Sequence, residues 1–192
     1  MKKTKRPIEF VGDLSVADAT VLVNQCLNAM YILEFGAGGS TQIFAQMIPR
    51  VLISVETDQR WAEAVRREIH EKLPDHTQPL MIGYTENFWH KFDVIFVDGA
   101  DDKRLDFAIA TWDALRGGGT MLFHDTRRPA DLENALIVAN KYGAEVEAIE
   151  VNALNSNITI LRKRESPLHY ENWHEAEGFP ETAYSLLAEA AK

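Results

Sequence analysis

Apolar residues along the chain fall into two alternating rhythms. Short, nearly continuous runs occur at 30–35 (MYILEF), 50–55 (RVLISV), 80–83 (LMIG), 92–98 (FDVIFVD) and 120–125 (TMLFHD). Runs of this length, bounded by Gly, Pro or Asp, fit parallel strands buried on both faces. Between them the spacing turns helical. Apolar or small residues at 16, 19, 23, 26, 27 and 30 predict a helix over about 15–29, opened by a capping box of Ser15 and Asp18. A second helix at about 39–48 is stopped by Pro49, and Asp58 caps a third with Trp61, Ala62, Val65 and Ile69 on one face. A fourth over 103–116 turns Leu105, Ala108, Ile109, Trp112 and Leu115 inward and ends at Gly117-Gly118-Gly119. A fifth begins at Pro129 and runs to Tyr142, with Gly143 as its stop. Late strands at about 145–150 and 157–163 enclose a short hairpin loop at Asn152–Asn155. This alternation predicts a doubly wound α/β sheet.

The stretch with the most chemistry is 30–41, MYILEFGAGGST. A strand here meets Gly36-x-Gly38-Gly39 and opens a helix at about Gly39. Glycines allow the sharp turn and let a ligand reach bare backbone, and the helix start offers unpaired N–H groups. A dinucleotide fingerprint would place a third glycine at position 41, where the chain has Thr41. Glu34, two residues before the first glycine, would aim its carboxylate into the loop. An anion there suits an ammonium group better than a pyrophosphate, which points to a nucleoside carrying an amino acid.

E-x-G-x-G-G-S resembles the first motif of the class I S-adenosylmethionine-dependent methyltransferases, (D/E)-x-G-x-G-x-G, with Ser40 in place of the last glycine. The likeness spans about 15–163. LEFGAGGST followed by SVETDQRW looks closest to a poorly characterised bacterial group of that superfamily. The resemblance implies a Rossmann-like, seven-stranded, mostly parallel sheet of order 3-2-1-4-5-7-6, with strand 7 antiparallel. It implies S-adenosylmethionine as cofactor, held by Glu34, Gly36, Ala37, Gly38, Ser40 and Thr41. Glu56 ends the second strand, 20 residues after Gly36, where an acid can accept both ribose hydroxyls; Thr57 would lie beside the adenine. Tyr84 and Thr85 occupy the loop that encloses the adenine in that family. Asp98 would face the methionine part or the reacting centre, or else cap the turn before Gly99.

Asp98 and Asp125 both end strands that should be neighbours. The pair resembles the carboxylates that hold a divalent cation such as magnesium in catechol and caffeoyl-coenzyme A type O-methyltransferases. The chain departs from that group at Thr126, where the group has Asn, and at Asp101, where it has its lysine base; Lys103 is displaced by two. His124 is the other catalytic candidate, a base with a near-neutral pKa. It reads equally as a buried hydrogen-bonding residue. Strand alternation would send His124 and Asp125 to opposite faces if the strand ran through both.

At 192 residues the chain fits one domain, over 1–164 with an arm at 1–14, followed by a tail at 165–192. The tail clusters Tyr170, Trp173, Phe179 and Tyr184, which would fold back on the sheet, meet a second subunit in a homodimer or cover the substrate. A net charge of -9 disfavours a broad nucleic-acid or membrane footprint, leaving a small-molecule or protein substrate as the expectation. One cysteine, Cys26, excludes an intrachain disulfide, and no apolar run reaches membrane-spanning length. The expected location is cytoplasmic. The expected activity is methyl transfer to oxygen or nitrogen. Its rivals are cofactor binding without transfer, as a regulatory or assembly module, and a dinucleotide or nucleotide-sugar oxidoreductase on the same sheet.

Overall fold

Strand pairing follows the apolar runs closely. The computed structural model describes residues 14–83, 88 and 90–165. In these the strands β1 (Tyr31–Phe35), β2 (Val51–Val55), β3 (Leu80–Ile82), β4 (Phe92–Val97), β5 (Leu115–Phe123), β6 (Val146–Glu150) and β7 (Thr159–Lys163) form one sheet. Its order is β3-β2-β1-β4-β5-β7-β6, and β7 runs antiparallel to both β5 and β6. The expected topology is therefore observed. Tyr84 and Thr85, most of the N-terminal arm and the aromatic tail lie outside the described residues. No described helix is long and apolar enough to cross a membrane.

Helices α1 (Val16–Cys26), α2 (Gly39–Gln46) and α3 (Gln59–Lys72) cover one face of the sheet; α4 (Arg104–Thr111) and α5 (Pro129–Lys141) cover the other. Strand alternation divides β1 between the two cores. Ile32 packs under the first group of helices, whereas Leu33 and Phe35 pack under the second. Chain reversal on either side of β1 puts the strand C-termini around one crevice. Backbone bonds past the strand ends keep the crevice in register: Gly36 N–H donates to Val55 O (2.9 Å), Asp98 N–H to Phe35 O (3.0 Å) and His124 N–H to Val97 O (3.1 Å).

Two elements differ from the sequence expectation. The fourth helix stops at Thr111, followed by a 3-10 turn at Trp112–Ala114, and β5 begins at Leu115 rather than 120. Leu115 pairs with Phe92, and pairing resumes only at Thr120 with Val94. Gly117–Gly119 are thus a bulge inside a strand and not a helix stop, with Gly118 at φ +75°. Trp112 is fully buried, its ring stacked on Tyr142 and its indole N–H donating to Glu145. That anchor ends the helix early.

The buried face of α1 is also rotated from the predicted one. Val16 and Leu27 are exposed, as is Met30 beyond the helix, while Asp18, Val21, Leu22 and Cys26 are buried. The Ser15–Asp18 capping box forms as expected. Asp18 faces inward because it also accepts a bond from Asn157 N–H (2.7 Å), tying α1 to the residues before β7.

Candidate functional site

The glycine turn after β1 is built for close backbone approach. Gly36 has φ +87°, and a Cβ there would lie 2.9 Å from the Cα of Gly99, in the loop after β4. Only glycine satisfies both the left-handed turn and that contact. Two residues on, Gly38 N–H donates to Thr41 Oγ1 (2.8 Å), so the Thr41 side chain closes the turn from within α2.

Glu34 is fully buried beneath the turn. Its carboxylate accepts the hydroxyls of Ser40 (2.8 Å) and Ser54. Burial pushes its pKa up to about 7, against the lowering effect of its hydroxyl donors Ser54, Thr41 and Ser40. The expectation that this carboxylate points into the loop toward a ligand is not met. β1 alternation places Glu34 on the same side as Ile32, under α2, where it braces the loop from below.

Above the turn is a cavity of about 340 Å³ whose walls include Gly36, Gly38, Glu56, Thr57, Trp61 and Asp98. Glu56 follows β2 and is oriented by two backbone donors, Ala37 N–H (3.2 Å) and Asp58 N–H (2.8 Å). Trp61 N–H donates to Ala37 O (2.6 Å), so Ala37 is clasped from both sides. Asp58 caps α3 by accepting from Arg60 and Trp61 N–H, and this aims Trp61 at the cavity. Ser40 also lines the cavity, although its hydroxyl is engaged with Glu34.

Beside Asp98 lies a dense charge cluster. The strand β5 ends at Phe123, and Asp125 takes φ +59°, so His124 and Asp125 converge instead of facing opposite sides. His124 is 3% exposed; its Nδ1 lies 3.1 Å from Asp98 Oδ1 and 3.6 Å from Asp125 Oδ1, and its Nε2 lies 3.8 Å from Asp18 Oδ2. Burial opposes charge on His124, but the contact with Asp98 and the charges of Asp98, Asp125 and Asp18 outweigh it. They hold the imidazole above its ordinary pKa. Burial likewise raises the carboxyl of Asp18, yet bonds from Ser15 and Asn157 and the charge of His124 bring it below its ordinary value.

Potential ligand atoms of Asp98, His124 and Asp125 lie within 4.8 Å of one another, a spacing that could hold a cation. Protein cations already meet the two carboxylates. Arg104, at the start of α4, places Nη2 3.0 Å from Asp98 Oδ1 and 3.2 Å from Asp125 Oδ2, and Nη1 3.0 Å from Asp131 Oδ1. Arg128 adds a contact of 2.7 Å to Asp125 Oδ2, while Asn157 donates to Asp125 Oδ1 (2.9 Å). Lys103, the displaced lysine, pairs instead with exposed Asp106.

The fold thus brings Gly36, Ala37, Gly38, Ser40, Glu56, Thr57 and Asp98 to one crevice, and His124 and Asp125 to its flank. It puts Glu34 and Thr41 beneath. The sequence reading gave Asp18 only a capping role and did not bring Arg104 or Arg128 to the acid pair. Arg104 carried a signal: it lies four residues before Ala108, one turn earlier on the inward face of α4.

Known proteins resemble both sequence and fold. The family described as a methyltransferase domain matches residues 33–126. No curated protein matches the sequence. Among solved structures, a methyltransferase-like protein from Silicibacter pomeroyi aligns with TM-score 0.59 and 20% identity, over 92% of this chain and 94% of that one. The O-methyltransferase from Bacillus cereus, in complex with SAH, aligns at 0.59 and 17%, over 79% and 83%. TomG from Streptomyces achromogenes, an O-methyltransferase involved in tomaymycin synthesis and in complex with SAM, aligns at 0.61 and 15%, over 80% and 82%.

Proposed function

From the methyltransferase-domain family that matches residues 33–126 and the fold shared with solved O-methyltransferases, we propose that the chain is a class I S-adenosylmethionine-dependent methyltransferase that moves a methyl group to an oxygen or nitrogen of a small-molecule or protein acceptor. The observation that carries this reading is the crevice where the Gly36–Gly38 turn meets Glu56 and Asp98. Its volume, about 340 Å³, falls in the range of small-ligand sites.

When bound, S-adenosylmethionine supplies an electrophilic methyl on a sulfonium. This chain's residues then bind and orient. Glu56 is the acceptor for the ribose hydroxyls, its carboxylate held in place by Ala37 and Asp58 N–H. The bare backbone of Gly36 and Gly38 admits the amino-acid portion, with Asp98 as its anionic partner. Thr57 and Trp61 stand where a base ring would be flanked. Glu34 and Thr41 act at one remove, by fixing the turn.

His124 does not serve as the base in this account. The imidazole is buried, faces three carboxylates and is held above its ordinary pKa, so it is less available as a proton acceptor than a free histidine. Asp98 and Asp125 are likewise engaged by guanidinium groups. This suits acceptors that need no proton removed before attack, such as a neutral amine, whose ammonium product sheds its proton to water afterwards, or an acidic hydroxyl already ionised. The same engagement favours a second reading, cofactor binding without transfer. Screening hydroxyl and amine acceptors with methyl-labelled cofactor separates the two. The cofactor site itself is tested by E56A, which is expected to weaken S-adenosylhomocysteine binding by more than about tenfold. Unchanged affinity would remove Glu56 from the site.

A further inference from the structure

The likeness to cation-dependent O-methyltransferases raises the question of what occupies the acid pair at the ends of β4 and β5. Arg104 is the residue to consider. Its side chain is 6% exposed, and one nitrogen, Nη2, contacts Asp98, Asp101 and Asp125 at 3.0, 3.0 and 3.2 Å. The other, Nη1, contacts Asp131 at 3.0 Å, and the Nε–H donates to Gly99 O (3.2 Å) in the loop that touches Gly36. A guanidinium is planar, permanently charged and weakly hydrated, which suits a buried position shared among carboxylates.

A magnesium ion would need several oxygens at about 2.0–2.1 Å in octahedral array, with room for its own waters. Here the two strand-end carboxylates already point at a fixed cation, and Arg128 and the His124 ring crowd the same pair. An added dication would meet the guanidinium groups of both Arg104 and Arg128 on the same carboxylates. The residues present do not fit the metal unless Arg104 leaves.

We propose that Arg104 is a built-in cation that neutralises and orients the Asp98–Asp125 pair, so that this chain takes no divalent metal there. Arg104 is a positioning residue. It holds Asp98 against the cofactor crevice and ties the loop after β4 to the starts of α4 and α5. The claim about the acid pair stands apart from the acceptor and rests on the proposed function only for the place of Asp98 beside the cofactor.

Manganese is the probe, as a paramagnetic ion that occupies oxygen-rich magnesium sites. Wild-type protein, R104A and R104K are titrated with manganese by electron paramagnetic resonance, and each with S-adenosylhomocysteine by calorimetry. Wild-type and R104K are expected to hold no manganese at this site. R104A is expected to gain one site, at least about tenfold tighter than any residual wild-type binding and abolished by adding D98N. R104A is also expected to lose S-adenosylhomocysteine affinity, which R104K restores in part. A generally damaged fold would not create a metal site.

One stoichiometric manganese site in the wild type, removed by D98N, would overturn the proposal. So would equal manganese binding by wild type and R104A. If R104A does not fold, the wild-type titration with its D98N control decides alone. Failure of the wild type to bind S-adenosylhomocysteine would count against the proposed function and leave the manganese result to be read by itself.

Discussion

Glu34 keeps its proton to about pH 7 in the fold but would lose it near 4.5 in an unfolded chain. Between those values the folded state binds more protons than the unfolded one, so stability falls as pH rises. Above about 7 both states are ionised and the slope ends. The fall is on the order of 3 kcal/mol for a shift of this size. Urea denaturation of wild type and E34Q from pH 5 to 8 is expected to show that slope in the wild type and its loss in the variant. Parallel curves would mean that Glu34 is ionised throughout. The role of this residue was within reach of the sequence. Alternation from Ile32 puts Glu34 under α2 and not in the open loop, but the motif drew attention to the ligand side. The place of Glu56 on the crevice wall was easier to read, because it directly follows a buried strand that ends at the crevice.

α1 shows how an element can be found while its face is misjudged. Its start was legible from Ser15 and Asp18, and the capping box forms. The apolar stripe was misjudged because it counted Val16 and Leu27 and left out a buried aspartate. Asp18 accepts from Ser15 and Asn157 N–H and lies 3.8 Å from His124, so its removal strands two backbone donors and takes a carboxylate from beside a buried imidazole. D18A is expected to destabilise the fold by about 3 kcal/mol or more, against about 1 kcal/mol for S15A. Equal losses on thermal or denaturant unfolding would reduce Asp18 to a cap. The glycines at 117–119 were misread for a similar reason. Three in a row look like a helix stop, and only pairing with β4 reveals a bulge.

For the whole molecule, topology was the most legible feature. Buried parallel strands separated by helices leave few arrangements, and the family resemblance selected the one observed. The charge cluster was not legible, since it joins residues from α1, α4, α5 and the ends of β4 and β5 that only the folded sheet brings together. The central claim is that the crevice at the strand ends takes S-adenosylmethionine through its glycine turn and Glu56. Calorimetric titration of the wild-type chain with S-adenosylhomocysteine, in EDTA and with a nicotinamide dinucleotide as the control ligand, tests it most directly. The account predicts saturable binding of one S-adenosylhomocysteine per chain without metal, and no comparable binding of the dinucleotide. Absence of S-adenosylhomocysteine binding, or preference for the dinucleotide, would contradict it.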